Sequence, residues 1–206
     1  MTKMSKERIR KRRLRVLAKA LRIVTVAPIM AFLAFTVMLA CGGVFNNIYE
    51  YLCTLVFITA LPLTAYPLQK ILPPFKYNGR KGQRTLAMIM ANVGYILGLV
   101  YAAIAHISPL LLSVFITYVL SGASILIINK VFGFKASGHA CGAAGPVGVL
   151  IYFTGATPFG LVTLLSGAAL LLAVLWSTVK THSHTALQFI VGAIIPIIIF
   201  YTLILI

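Results

Sequence analysis

The side chains of this sequence that could do chemistry gather in three short polar stretches. In Lys135-Ala136-Ser137-Gly138-His139 a hydroxyl, a glycine and a histidine stand where an apolar segment is about to begin. A helix N-terminus offers unpaired N–H groups and a positive dipole end, and a glycine there lets an anion approach the backbone closely. In the stretch from Ser177 to Gln188, Ser183 is placed to cap the last helix, while His184 and Gln188, four apart, share one of its faces. The Gln188 side-chain oxygen can hold one ring nitrogen of His184 and leave the other free to attack. The third stretch, Lys70 to Arg84, holds Lys70, Lys76, Arg80, Lys81 and Arg84 just before another apolar run. Phosphate fits a place where cations, helix N-termini and a nucleophilic histidine meet.

What is missing narrows the chemistry. Glu7 and Glu50 are the only carboxylates, and there is no Asp. Paired-carboxylate hydrolysis, carboxylate-rich Mg or Ca sites and Asp-based triads are thereby excluded. Cys41 and Cys53 both fall toward one membrane face and could pair in an oxidising space, or remain free thiols packed as small apolar groups; Cys141 falls toward the other face.

The elements that must position these residues are membrane helices. The chain of 206 residues is 61% hydrophobic with a mean hydropathy of +1.02, and its apolar runs are continuous where a β-barrel would alternate. The fold class is all-α, a polytopic helical bundle of six to seven transmembrane helices. Spans are expected over about 23–43, 50–70, 85–106, 109–130, 142–156, 158–177 and 186–206, within a few residues at each boundary. The fifth is short and contains Pro146, so it is expected to be tilted, kinked or merged with the sixth. All 18 Lys and Arg residues precede the first span or lie in the connections holding Lys70 to Arg84, Lys130 and Lys135, and Lys180. The positive-inside rule assigns that face, with the N-terminus and the three polar stretches, to the cytoplasm.

Residues 1–22 form a basic cytoplasmic juxtamembrane segment ahead of a membrane domain over 23–206. Leu14, Leu17, Ala18 and Leu21 have helical spacing between cations, which predicts a helix lying on anionic lipid. Tethering beside a span accounts for this charge without a nucleic-acid partner. Met38-Leu39-Ala40-Cys41 only faintly resembles a lipoprotein processing site, and the first span is expected to stay as an uncleaved anchor. His106 and His182 are read as interfacial polar groups, and the Gly/Ala-rich fifth span as a mark of close helix packing.

In order, spacing and shared membrane side, these stretches resemble the type 2 phosphatidic acid phosphatase superfamily, over about residues 50–206. Ser137, Gly138 and His139 match its Pro-Ser-Gly-His motif, with Ala136 in place of the proline. Ser177, His184 and the downstream Gly192 match its third motif, with Thr178 in place of Arg and Gln188 in place of Asp. Arg80-Lys81-Gly82-Gln83-Arg84 stands where its first, Lys/Arg motif lies, with Thr85 in place of proline. The form His184-Thr185-Ala186-Leu187-Gln188 is similar to that of a divergent branch of the superfamily.

The resemblance implies a metal-independent phosphatase without a cofactor, acting on a lipid phosphate or a polyprenyl or lipid pyrophosphate in the membrane of a bacterial or archaeal cell. His184 would attack phosphorus to form a phosphohistidine, held by Gln188, and His139 would protonate the leaving alcohol. Arg80, Lys81, Arg84, Ser137, Gly138 and Lys180 would bind the phosphate. A second reading is a noncatalytic relative that binds or moves lipid, and a third is a zinc site of His139, Cys141, His182 and His184.

Overall fold

Long apolar runs with few breakers fold as helix throughout, and the computed structural model, which describes residues 3–206, has no strand among the described residues. Residues 1 and 2 of the basic segment lie outside the described residues, as do the side chains of residues 3–6. The architecture is carried by α1 (Lys3–Val24), α2 (Ala27–Cys41), α3 (Ile48–Ile71), α4 (Gly79–Ile104), α5 (Pro109–Lys130), α6 (Gly138–Thr154), α7 (Gly160–Lys180) and α8 (Ala186–Leu205). A single helical turn, Pro73–Lys76, joins α3 to α4. Five helices (α3, α4, α5, α7 and α8) are long and apolar enough to cross a membrane, and the bent pair α1–α2 makes six. The outer faces agree with an integral membrane protein: Leu161, Val162 and Leu165 on α7, and Leu187, Ile190 and Ile198 on α8, are exposed, an apolar surface suited to lipid rather than water.

Several boundaries depart from the expected spans. The first begins at Ala27, not 23, because the chain breaks between Val24 and Ala27 with a bend of 58°. Pro28 sits at the start of α2, where its missing N–H costs nothing, and could not have continued α1. α4 begins at Gly79, not 85, so Arg80, Lys81 and Arg84 stand on its first two turns rather than in a loop. The fifth span begins at Gly138 and runs through Pro146 as one helix, distinct from α7. Its 17 residues cover about 26 Å. Within α3 the stretch Val56–Ala60 widens to a π-helix, Leu61 N–H reaching back to Val56 just before Pro62 removes the next donor.

α6 occupies the centre, packed against α2, α5, α7 and α8. Its small residues permit that: Ala140, Ala143, Ala144 and Val147 are buried, Gly142 abuts Ala27 of α2, and Gly145 faces Pro196 of α8. α1 packs on α7 and Ala18 is fully buried, so the face expected on lipid is partly spent on protein; Leu17 alone of that set stays well exposed, at 58%. The end opposite the basic residues is tied by Ser108 Oγ donating to the Val44 carbonyl and by the buried Glu50, which accepts from Asn46 N and Nδ2 at 3.0 and 2.8 Å. All three cysteines are free thiols, so Cys41 and Cys53 are not paired.

Candidate functional site

The entry to α8 is a capping box. Thr185 Oγ1 accepts from the Gln188 N–H at 3.3 Å, and Gln188 Oε1 accepts from the Thr185 N–H at 3.1 Å. Thr185 is therefore the cap, not Ser183. The box fixes the Gln188 side chain, and the same oxygen lies 3.3 Å from His184 Nδ1. The Lys135 carbonyl lies 3.0 Å from that nitrogen. Both partners only accept, so Nδ1 carries the hydrogen and Nε2 of the neutral ring presents its lone pair. Burial holds the His184 pKa below its ordinary value; the Lys135 and Gln188 hydrogen bonds oppose that, and the Arg84 and Arg22 charges add to it.

His139 enters from the first turn of α6. Its Nε2 lies 3.1 Å from Thr25 Oγ1, at the break between α1 and α2. Thr25 Oγ1 already donates to the Leu21 carbonyl at 2.7 Å, so it accepts here and His139 carries its hydrogen on Nε2. One turn earlier on α1, Arg22 Nη1 donates to Thr181 Oγ1 at 2.9 Å and to Ser183 Oγ, the loop that presents His184. Arg84 and Arg80, four apart on one face of α4, are the charges that bear on Arg22, and Arg22 and His184 are those that bear on His139. Hydrogen bonds thus draw Arg22, His139 and the loop of His184 together from α1, α6 and the α7–α8 loop, and the charges of Arg80 and Arg84 on α4 reach Arg22, which makes this end of the bundle a positive basin. Neither carboxylate is near: Glu7 pairs with Lys11, and Glu50 is at the far end. The charge of such a basin is complementary to an anion.

Arg22 was not among the residues marked by motif. Its only local signal is its place in the last turn of α1, immediately before a break marked by Pro28. The remaining candidates sit as follows. Ser137 is fully buried; its oxygen caps α6 by accepting from the Ala140 N–H, its N–H donates to the Gln188 carbonyl, and Gly192 of α8 packs directly on its backbone. Its hydroxyl supports the site's frame. Gly138, beside it, is exposed, and a Cβ added there would meet only Ile125 at 3.9 Å. Lys81 is exposed on α4 and is not among the charges felt by Arg22 or His184. Lys180 faces a separate groove with Arg15. Thr178 is fully buried, its hydroxyl without a partner, and does not reach the basin.

The zinc arrangement does not form: among the described residues no three His, Cys, Asp or Glu side chains come together. Cys141 turns instead toward Ser121, Tyr95 and Tyr118 in the bundle, while His182, in a left-handed conformation with φ 52°, turns the chain out of α7 and lines the same groove as Lys180.

Chemically, the basin pairs a histidine whose free nitrogen can act as a nucleophile with guanidinium groups able to hold an oxyanion and a second histidine able to exchange a proton. Comparison of the chain with protein-family models, with curated proteins and with solved structures finds no match.

Proposed function

We propose that the protein is a membrane phosphatase that hydrolyses a lipid phosphate or lipid diphosphate through a phosphohistidine at the basic end of the bundle. The observation that carries this reading is His184 itself: two carbonyl oxygens hold its Nδ1–H, which leaves Nε2 unprotonated beside two arginines. In the first step the Nε2 lone pair attacks phosphorus and the bond from phosphorus to the lipid oxygen breaks. Arg22 and Arg84 stabilise the charge gathered on the non-bridging oxygens. His139, protonated on Nδ1 while Thr25 holds its Nε2–H, gives the leaving oxygen a proton. In the second step His139 takes a proton from water, the hydroxide attacks phosphorus, the P–N bond breaks, and phosphate leaves His184 as it was. Arg22 here takes the place that the superfamily's third-motif Arg would fill, since Thr178 is buried. The basin at the side of Lys70 to Arg84 is read as cytoplasmic from the positive-inside rule.

The test is phosphate release by the purified protein from phosphatidate, phosphatidylglycerophosphate and polyprenyl phosphates and diphosphates, with and without EDTA. Activity on at least one lipid that survives EDTA is expected. His184→Ala should abolish both turnover and acid-labile phosphate on the protein, and Arg22→Gln should lower kcat by about 10²–10³. Turnover that persists in His184→Ala ends the phosphohistidine mechanism, and no turnover on any lipid favours a noncatalytic lipid-binding relative.

A further inference from the structure

Lys180, which the proposed reaction does not use, opens onto a groove of about 430 Å³ between α1 and α7. Its charged lining is Arg15 and Lys180, its wall is Leu175, Trp176 and Val179, and His182 and Ala186 complete it. We propose that this groove binds an anionic phospholipid of the surrounding bilayer, with the headgroup phosphate between Arg15 and Lys180 and an acyl chain along Leu175, Trp176 and Val179.

Charge selects the occupant first. Neither carboxylate of the chain lines the groove: Glu7 is paired with Lys11 at 2.6 Å, and Glu50 is held by Asn46 at the other end of the bundle. The two cations are therefore uncompensated by protein. The wall selects next. Trp176 and Val179 are 39% and 44% exposed near the C-terminal end of α7, and tryptophan is the side chain that settles at a membrane–water interface. Lys180 is the last residue of that helix, where a cation reaches headgroup level while its stem follows the apolar wall. A soluble anion would match the cations and leave the wall uncovered; a zwitterionic lipid would cover the wall and bring its own cation to Arg15 and Lys180. An anionic phospholipid satisfies both surfaces, and it would fasten the basic helix α1 to α7. The groove shares no residue with the Arg22, Arg80, Arg84, His139 and His184 basin, so it stands whether or not the phosphatase reading does.

Trp176 is the only tryptophan in the chain, so its fluorescence reads the groove directly. The full chain is reconstituted in phosphatidylcholine bilayers containing a minor fraction of either phosphatidylglycerol or phosphatidylcholine with brominated acyl chains, and quenching is compared. Brominated phosphatidylglycerol is expected to quench more than its phosphatidylcholine counterpart at equal fraction. Each cation should contribute about fivefold to relative occupancy, so Arg15→Gln with Lys180→Gln should lower the preference about thirtyfold. Lys19→Gln, an exposed cation of α1 outside the groove, should leave it unchanged and shows that the fold is kept. Equal quenching by the two lipids, a preference that survives the double substitution, or one that Lys19→Gln lowers as much would overturn the site. So would its disappearance with excess inorganic phosphate, which would mark the groove as a receptor for free phosphate.

Discussion

Gln188 sets how the proposed nucleophile responds to pH. It is neutral, and its oxygen is shared between His184 Nδ1 and the Thr185 N–H. With burial and two arginines disfavouring the imidazolium, the His184 pKa lies below the ordinary 6.5. Protonation occupies Nε2 and removes the lone pair, so turnover should rise with pH through that lowered pKa and fall again as His139 loses the Nδ1 proton that it gives to the leaving oxygen. Gln188→Glu keeps the side-chain length and the capping box but adds a negative charge, which favours the imidazolium. The acid limb of kcat against pH should then move to higher pH, and an unmoved limb would show that another group titrates there. The His184–Gln188 relation was legible in the sequence because it is local, although His184 precedes the Thr185 cap and lies just outside α8, not on its face. Arg22 was not: it meets the loop at Thr181 from 159 positions away, and in a run of ten cations nothing local separates it from its neighbours.

At the level of elements, the apolar runs marked the helices because hydropathy reads burial in lipid directly, but not where charge and helix overlap. Gly79 to Arg84 is helical although its composition resembles a loop, since lysine, arginine and glutamine are good helix formers and remain solvated at a membrane surface. The bend at Thr25 also escaped a hydropathy reading, although Pro28 marked it. Contacts between elements were less visible still. α6 and α8 are joined where Gly192 lies on the Ser137 backbone and where Ser137 N–H donates to the Gln188 carbonyl at 3.0 Å. An alanine methyl at 192 would meet the Ser137 carbonyl oxygen, which is backbone and cannot turn aside. Gly192→Ala is expected to cost about 1–3 kcal/mol and to displace His184 from the Lys135 carbonyl. Gly138→Ala, whose added methyl would meet only Ile125 at 3.9 Å, should leave thermal stability nearly unchanged. Equal thermal unfolding midpoints for the two variants would mean that α6 and α8 are not locked at this contact.

For the whole molecule, the question is which side of the membrane the basin faces. The connections holding Lys70 to Arg84, Lys130 and Lys135, and Lys180 can share one side only if α6, a helix of 17 residues, crosses completely. Its central packing gives the reason it can do so at 17 residues: it is sheathed by α2, α5, α7 and α8 and does not have to match the lipid thickness itself. In a protein with its three native cysteines replaced, single cysteines at exposed positions report sidedness. Lys81→Cys and His182→Cys should react with an impermeant thiol reagent only from the cytoplasmic side, and Tyr49→Cys and Ala156→Cys only from the opposite side. Lys81 and His182 reacting from opposite sides would place the Arg84 and His184 ends of the basin across the membrane from each other and end the proposed mechanism. Both reacting from outside would keep the chemistry and reverse its orientation, with phosphate released on the far side of the membrane.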